Sequence, residues 1–348
     1  MPLLFLLLLC LSSLPFLSLA AVPAIIVFGD STVDTGNNNA IPTLLKSNFM
    51  PYGRDFLGKP YPTGRFSNGR LASDFYAEAF GLGPIVPAYL DPAFTINDFA
   101  SAVCFASAGT GLDNATSDVL SVIPLWKEVE YFKEYQERLK AYLGEEKAKW
   151  TVNEALYIIS IGTNDFVENY YSYTTTRFKE FTVDEYKDFL ISLTGNFIQE
   201  LYSLGARKIG FTGLCPIGCV PLERSSNFFR WGECMEERNK VARDFNSKFQ
   251  ELIGVLSASL PGLRLVYLPV YDFFLQLVQN PSLYGYEDVE HGCCATGFFE
   301  LGYLCDQWNP FTCIDADKFV FWDAVHPTEK TSRIVANYLV NTTLSQFM

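Results

Sequence analysis

Short apolar runs alternate along the chain with longer amphipathic segments. The runs are rich in β-branched residues and predict strands; they lie at 24–28, 155–160, 207–212 and 263–268. The longer segments carry apolar residues every three or four positions and predict helices; they lie at 69–80, 125–143, 184–204, 234–259 and 328–345. This alternation is typical of an α/β domain in which crossover helices join parallel strands.

Polar, glycine-containing turns follow two of these strands. Gly29-Asp30-Ser31 follows the first strand, and Gly162-Thr163-Asn164-Asp165 follows the strand at 155–160. In such a sheet the functional groups lie at the carboxyl ends of the strands. We therefore expect both turns to reach one edge of the sheet and to contribute to a site there.

The first 20 residues have the features of a secretory signal peptide. They hold no charged side chain and end in Ser18-Leu19-Ala20, a small-residue pattern that suits signal peptidase. Beyond them no apolar run approaches 18 residues, so we expect no transmembrane segment. No repeat or linker interrupts the remainder, so residues 21–348 are expected to form a single domain.

The net charge and two glycosylation sequons narrow the possible partners and compartments. The chain has 26 Lys and Arg against 39 Asp and Glu, a net charge of -13, which argues against nucleic acid or an anionic membrane as a partner. Sequons beginning at Asn114 and Asn341 predict N-glycosylation on the secretory route.

Nine cysteines are present, and Cys10 would be removed with the signal peptide. The other eight are Cys104, Cys215, Cys219, Cys234, Cys293, Cys294, Cys305 and Cys313. An even set in an oxidising compartment predicts disulfides, with the pairing left open. The absence of a C-x-x-C pair and the presence of only two histidines argue against a metal site.

Ser31 has two interpretations, a nucleophile or the cap of a following helix. A serine nucleophile needs a base, usually histidine, and the chain offers only His291 and His326. His291 lies in a cysteine-rich stretch without a pattern tied to catalysis. His326 follows Asp323 by three residues, so that the carboxylate can turn back and orient the imidazole. The alternative for this pair is a surface turn with a capping aspartate.

Acyl transfer also needs donors for the oxygen that becomes negative. The candidates are the Ser31 N–H, an N–H in the turn at 107–111, where Gly109 and Gly111 both stay open, and the Asn164 amide. Rival motifs are incomplete: Gly-x-Ser-x-Gly fails at Val33, and neither His-Glu-x-x-His nor a P-loop occurs. The dinucleotide fingerprint lacks its third glycine at position 114. Paired glycosidase acids stay open because Asp and Glu are plentiful, although nothing singles out a pair.

Four motifs occur in a characteristic order. They are Gly-Asp-Ser at 29–31, Phe-Ala-Ser-Ala-Gly-Thr-Gly at 105–111, Gly-Thr-Asn-Asp at 162–165 and Asp-x-x-His-Pro at 323–327. In these motifs the chain resembles the plant GDSL-type esterase/lipases of the SGNH hydrolase superfamily, over essentially its whole mature length. The resemblance implies a flavodoxin-like three-layer α/β/α sandwich with a central, mainly parallel sheet. It also implies serine hydrolysis without a metal or cofactor.

The resemblance assigns roles to five residues. Ser31 would be the nucleophile, His326 the base and Asp323 its orienting partner. Ser31, Gly109 and Asn164 would form the oxyanion hole. The chain departs from many members at two further positions, with Thr32 in place of leucine and Cys104 in place of asparagine. A disulfide at Cys104 would lie near the oxyanion loop.

The expected protein is thus a secreted hydrolase that acts on a small-molecule or lipid ester, outside the cell or in its wall. Three alternatives stay open: an acyltransferase that passes the acyl group to an alcohol, an esterase on acetylated wall polysaccharide, and a non-catalytic wall-binding protein with the same fold. Composition leaves the acyl group undefined, because packing explains the abundant aromatic residues as readily as a lipid groove does.

Overall fold

The computed structural model describes residues 22–172, 174–227, 230 and 232–348. The predicted signal peptide at 1–20 lies outside the described residues and stays a prediction. Within the described part of the chain, no helix is both long and apolar enough to cross a membrane.

The centre of the fold is a five-stranded parallel sheet in the order β2-β1-β3-β4-β5. Its strands are β1 Ile25–Gly29, β2 Ala102–Cys104, β3 Leu156–Ser160, β4 Lys208–Thr212 and β5 Arg264–Leu268. The four strands predicted from the sequence are confirmed. The pattern does not predict β2, because three residues are too few for strand alternation to show.

Helices connect the strands. They are α1 Ala72–Ala79, α2 Ile96–Phe99, α3 Asn114–Leu120, α4 Leu125–Leu143, α5 Glu145–Glu154, α6 Arg177–Glu180, α7 Val183–Ser203, α8 Pro221–Ser225, α9 Glu236–Ser259, α10 Val270–Gln279 and α11 Glu329–Thr342. The five predicted helices correspond to α1, α4, α7, α9 and α11, and each end lies within three residues of its predicted position.

The sheet is covered on both faces. Alternate side chains of β1 enter different cores: Ile26 and Phe28 pack with α4, α7 and α9, whereas Ile25 and Val27 pack with α1, α10 and α11. This double burial explains why the strands read as continuous apolar runs. The arrangement is the expected three-layer α/β/α sandwich.

A second, two-stranded parallel sheet pairs β6 Asp288–Gly292 with β7 Phe319–Phe321. Directly after β7 the chain turns tightly, and the Trp322 N–H donates to the carbonyl of His326 at 2.7 Å. The small sheet therefore supports the turn that contains the Asp-x-x-His motif.

Six cysteines form the disulfides Cys219–Cys234, Cys293–Cys313 and Cys294–Cys305. The expectation that all eight pair is wrong, since Cys104 and Cys215 are free. Cys104 belongs to the core on one face of the sheet and Cys215 packs against the core on the other, so the sheet separates the two thiols. A disulfide near the oxyanion loop is therefore ruled out for Cys104.

Candidate active site

Three of the candidate residues follow neighbouring strands at the carboxyl edge of the main sheet. Ser31 follows β1, Gly109 follows β2 and Asn164 follows β3. Because β2 and β3 flank β1 on opposite sides, the chain reverses its direction of travel across the sheet here. Parallel α/β sheets bind their ligands at such a switch point.

Ser31 lies in a single helical turn and is almost buried. The N–H groups of Val33 and Asp34 donate to the Asp30 carbonyl at 3.1 and 2.9 Å, and Asp30 Oδ1 accepts from the Thr32 N–H at 3.0 Å. Asp30 therefore caps this turn, and the interpretation of Ser31 as a helix cap is wrong. Within the described part of the chain the Ser31 hydroxyl forms no hydrogen bond.

Gly29 allows β1 to approach β3 closely just before the serine. Its φ is +137°, and a Cβ there would lie 1.9 Å from the Ser160 carbonyl oxygen. Its N–H donates to Oε2 of Glu128 at 3.0 Å, from a helix 99 positions along the chain. Glu128 is fully buried, so this hydrogen bond fixes the end of β1 from within the core. Sequence reasoning did not identify this residue, because its position in a helical pattern looks like any other.

The direction of the peptide bond between residues 110 and 111 separates the two glycines of the turn at 107–111. Gly109 has φ +86°, and the Thr110 carbonyl accepts from Asn164 Nδ2 at 3.0 Å. In a trans peptide the next N–H points opposite to the carbonyl, so the Gly111 N–H points away from the Asn164 amide. The Gly109 N–H donates to none of the described residues.

Asp165 ties this turn to the loop that follows β3. Its carboxylate accepts from the N–H groups of Leu112 and Asp113 at 2.8 and 2.9 Å and from the Thr116 hydroxyl at 2.7 Å. It also starts a π-helix, Asp165–Tyr170, of the kind often found at functional sites. The fourth residue of the Gly-Thr-Asn-Asp motif thus holds the glycine turn and Asn164 in register.

Asp323 and His326 form a buried pair. His326 Nδ1 lies 2.8 and 2.9 Å from the two carboxylate oxygens of Asp323, and Asp323 Oδ1 also accepts from the N–H groups of Val325 and His326. Since Asp323 has no exposed surface and His326 only 3%, the interpretation as a surface turn is wrong. His326 Nε2 is shielded from solvent and bonds to no described residue, including the hydroxyl of Ser31.

Tyr52 is a further member of the site. Its hydroxyl donates to Asp323 Oδ2 at 2.7 Å and accepts from the Gly302 N–H at 3.0 Å. It is fully buried and connects the aspartate to the loop that the Cys294–Cys305 disulfide closes. No spacing rule could find a contact across 271 positions.

Arg65 and Phe66 join the serine loop to the histidine. The Phe66 ring centroid lies 4.9 Å from that of His326. Arg65 forms a buried ion pair with Asp74 at 2.8 Å and donates to the Thr35 carbonyl at 3.2 Å. The serine loop and the histidine therefore both pack against this one segment.

No described residues form a group of three or more histidines, cysteines or carboxylates that could hold a metal ion. Both sequon asparagines, Asn114 and Asn341, are exposed, and their glycosylation stays a prediction.

Comparisons with known proteins give the chain a family. The model of the GDSL-like lipase/acylhydrolase family matches residues 25–339. Three GDSL esterase/lipases of Arabidopsis thaliana are 58%, 56% and 55% identical to the chain over 329, 327 and 328 residues, which cover 94% of this chain and 93% of each relative. This chain belongs to the GDSL lipase/acylhydrolase family. It is therefore an ester-hydrolysing enzyme.

At position 32 the chain has threonine where the Gly-Asp-Ser-Leu motif of the family name has leucine. The Thr32 hydroxyl donates to Asp30 Oδ1 at 2.7 Å and lies 2.8 Å from the Ser160 hydroxyl. This departure adds a polar link between the loop after β1 and the end of β3 and leaves the Ser31 hydroxyl without a hydrogen bond to any described residue.

Several carboxyl groups of this GDSL hydrolase lie buried around the site. Burial raises the pKa of Asp30 and Asp34 to about 6, that of Asp165 to about 7 and that of Glu168 to about 8. It raises the pKa of Glu128 well above its usual range. The site is therefore supported by carboxyl groups that are easiest to bury when protonated.

These acids predict that the enzyme is more stable at pH 5 than at pH 8. Each has a folded pKa above its unfolded value, so its contribution is complete below pH 3.8 and is lost as the pH rises to about 8. We expect the free energy of unfolding to fall between pH 5 and 8 by at least about 1.4 kcal/mol, the value of one pKa unit at a single group, measured by urea unfolding at both pH values. Glu168→Gln, which cannot ionise, should reduce the difference. Equal stability at both pH values would contradict the prediction.

Proposed function

We propose that this protein is a secreted carboxylic-ester hydrolase with Ser31 as its nucleophile. The observation that carries the proposal is the buried Asp323–His326 pair, in which Nε2 of His326 bonds to no described residue. An imidazole held by a carboxylate at Nδ1, with Nε2 able to accept the proton of the serine hydroxyl, is the arrangement that a general base requires.

In the proposed reaction the Ser31 hydroxyl attacks the ester carbonyl carbon while its proton passes to His326 Nε2. Asp323 stabilises the imidazolium that forms. The tetrahedral intermediate then releases the alcohol, which takes the proton from His326, and leaves an acyl group on Ser31. Water repeats the sequence and frees the acid, so that no cofactor is consumed.

The negative oxygen of the intermediate would accept from the N–H groups of Ser31 and Gly109 and from the Asn164 amide. The direction of the Thr110–Gly111 peptide supports Gly109 over Gly111 for this role. These donors belong to the backbone or to a buried side chain, so they need little reorganisation as charge develops.

Replacement of Asn164 by alanine should lower kcat by about a hundred- to a thousand-fold, because one oxyanion donor is lost. The measurement is steady-state hydrolysis of a short-chain nitrophenyl ester. Asn280→Ala, which removes an exposed asparagine, should keep wild-type kcat. An Asn164→Ala enzyme within a factor of two of wild type would exclude the amide from the oxyanion hole.

Tyr52→Phe should lower kcat roughly tenfold with little change in KM, because Asp323 loses one hydrogen bond to its charged form. Tyr52 is a positioning residue that touches no reacting atom, so its removal loosens the aspartate without altering substrate contacts. Steady-state kinetics separate the two constants. A rise in KM at constant kcat would contradict this role.

The substrate is proposed to be a small-molecule or lipid ester outside the cell or in its wall. The predicted signal peptide and three disulfides support this location. A rate series over esters of increasing chain length, with Ser31→Ala as the blank, identifies the preferred acyl group. Product analysis with glycerol beside water tests the acyltransferase alternative, since hydrolysis yields only free acid.

Labelling by a serine-reactive phosphonate tests the proposal directly. The native enzyme should gain one phosphonyl group on the peptide that contains Ser31, and the His326→Ala variant should label far more slowly. A native protein that stays unlabelled at Ser31 would instead favour a non-catalytic binding role.

A further inference from the structure

A second aspartate–histidine pair lies outside the proposed catalytic site. Asp288 and His291 are three residues apart, like Asp323 and His326, and His291 Nδ1 lies 3.0 Å from Asp288 Oδ2. Asp288 Oδ1 also accepts from the N–H groups of Glu290 and His291 at 2.8 and 2.9 Å. These contacts place the Asp288 carboxylate at Nδ1, so Nε2 is the ring nitrogen left to accept from a ligand.

His291 lines an open cavity of about 390 Å³, near the lower end of the range for small-molecule sites. The other walls are mainly apolar and comprise Gly292, Cys293, Ala295, Thr296, Phe298, Phe311, Cys313 and Phe319. None of the five residues proposed for catalysis lines this cavity. It therefore forms a separate concave surface with an oriented imidazole at one wall.

Covalent and backbone links hold the cavity in shape. The Cys293–Cys313 disulfide forms part of its wall, and Cys294–Cys305 ties the next residue to the same loop. The Ala295 N–H donates to the Thr312 hydroxyl at 3.0 Å. A preformed cavity loses little entropy when a ligand binds.

Charge around the cavity disfavours an ionised ligand. None of its described lining residues is a lysine or arginine, and Glu290 lies beside Asp288 on β6. The nearby Arg224 guanidinium already donates to the carbonyls of Cys219 and Gly232. An anion would meet the carboxylates of Asp288 and Glu290 with no lysine or arginine among the described lining residues. A cation would find the Asp288 carboxylate already engaged by the His291 imidazole and by two N–H groups.

We propose that this cavity is an accessory binding site for an uncharged phenol. The aromatic ring packs against Phe311 and Phe319, and the phenolic O–H donates to Nε2 of His291. The combination of an apolar wall and one oriented acceptor selects a flat apolar molecule with one hydroxyl group.

Nuclear magnetic resonance of the two histidines tests the proposal. The chain contains only His291 and His326, so ¹⁵N-histidine labelling gives two imidazoles, which His291→Leu assigns. Titration with 4-propylphenol should shift Nε2 of His291, and 4-propylanisole, which lacks the O–H donor, should bind about tenfold more weakly. A His291 signal that stays unmoved, or a shift of His326 alone, would overturn the proposal.

Two variants separate the wall from the acceptor, with calorimetry as the readout. Phe311→Ser should weaken the phenol and the ether by the same factor, because both lose the apolar wall. His291→Leu should remove the tenfold preference for the phenol while the thermal midpoint stays at the wild-type value, since a third of this side chain is exposed. Retention of the preference in His291→Leu would exclude the imidazole as the acceptor.

Discussion

Replacement of Ser31 by alanine is expected to lower kcat for ester hydrolysis by about a million-fold. Without the hydroxyl no acyl-enzyme forms, and His326 has no proton to remove. Alanine keeps the backbone N–H at position 31, so the oxyanion hole stays complete and a small residual rate over solution should persist. The measurement is single-turnover hydrolysis of a short-chain nitrophenyl ester, which detects slow rates.

This loss should occur without loss of stability. The Ser31 hydroxyl bonds to no described residue, so its removal should change the free energy of unfolding by less than about 0.5 kcal/mol. Ser203→Ala, at the exposed end of α7, is the matched control and should keep full activity. Wild-type turnover by folded Ser31→Ala would remove this serine from the mechanism.

The parts of the site that the sequence predicts are those that depend on local geometry. The apolar run of β1 is enough to locate the strand and therefore the Gly-Asp-Ser turn that follows it. Asp323 and His326 meet because a tight turn brings together residues that are three positions apart. The scarcity of histidine narrowed the base to two candidates. The ends of the five predicted helices lie within three residues of their observed positions, because apolar residues that recur every three or four positions over a long segment indicate a helix clearly.

The parts that the sequence does not predict depend on contacts between distant segments. Glu128 supports Gly29 across 99 positions, and Tyr52 reaches Asp323 across 271. Neither residue type is unusual in its own segment, so no local pattern reveals it. The choice between Gly109 and Gly111 likewise depends on the direction of one peptide plane, which composition cannot supply.

Cysteine counting failed for a similar reason. An even number permits complete pairing, but pairing requires Cα atoms within about 7 Å. Cys104 and Cys215 belong to cores on opposite faces of the sheet, which only the assembled fold reveals. The six remaining cysteines form pairs at separations of 11 to 20 residues, where local loops can close.

Asp323→Asn is expected to lower kcat by about ten-thousand-fold. Asp323 accepts hydrogen bonds from two backbone N–H groups, from His326 Nδ1 and from the Tyr52 hydroxyl. An asparagine amide nitrogen cannot accept, so it must either face one of these N–H or O–H donors or donate to Nδ1 and favour the tautomer that carries its proton on Nε2. Either outcome removes the orientation of Nε2 that proton transfer requires, and the loss should exceed that of Tyr52→Phe, which removes only one donor.

The matched control is Asp315→Asn, because Asp315 caps an exposed turn through the Asp317 N–H at 3.0 Å and lies outside the site. It should keep kcat within a factor of two, whereas Asp323→Asn should lose activity while KM changes little. Steady-state kinetics and thermal unfolding of both variants distinguish a catalytic loss from unfolding. If folded Asp323→Asn kept more than a tenth of wild-type kcat, the carboxylate would not be the partner that His326 needs, and the base would have to gain its orientation from Phe66 and the backbone alone.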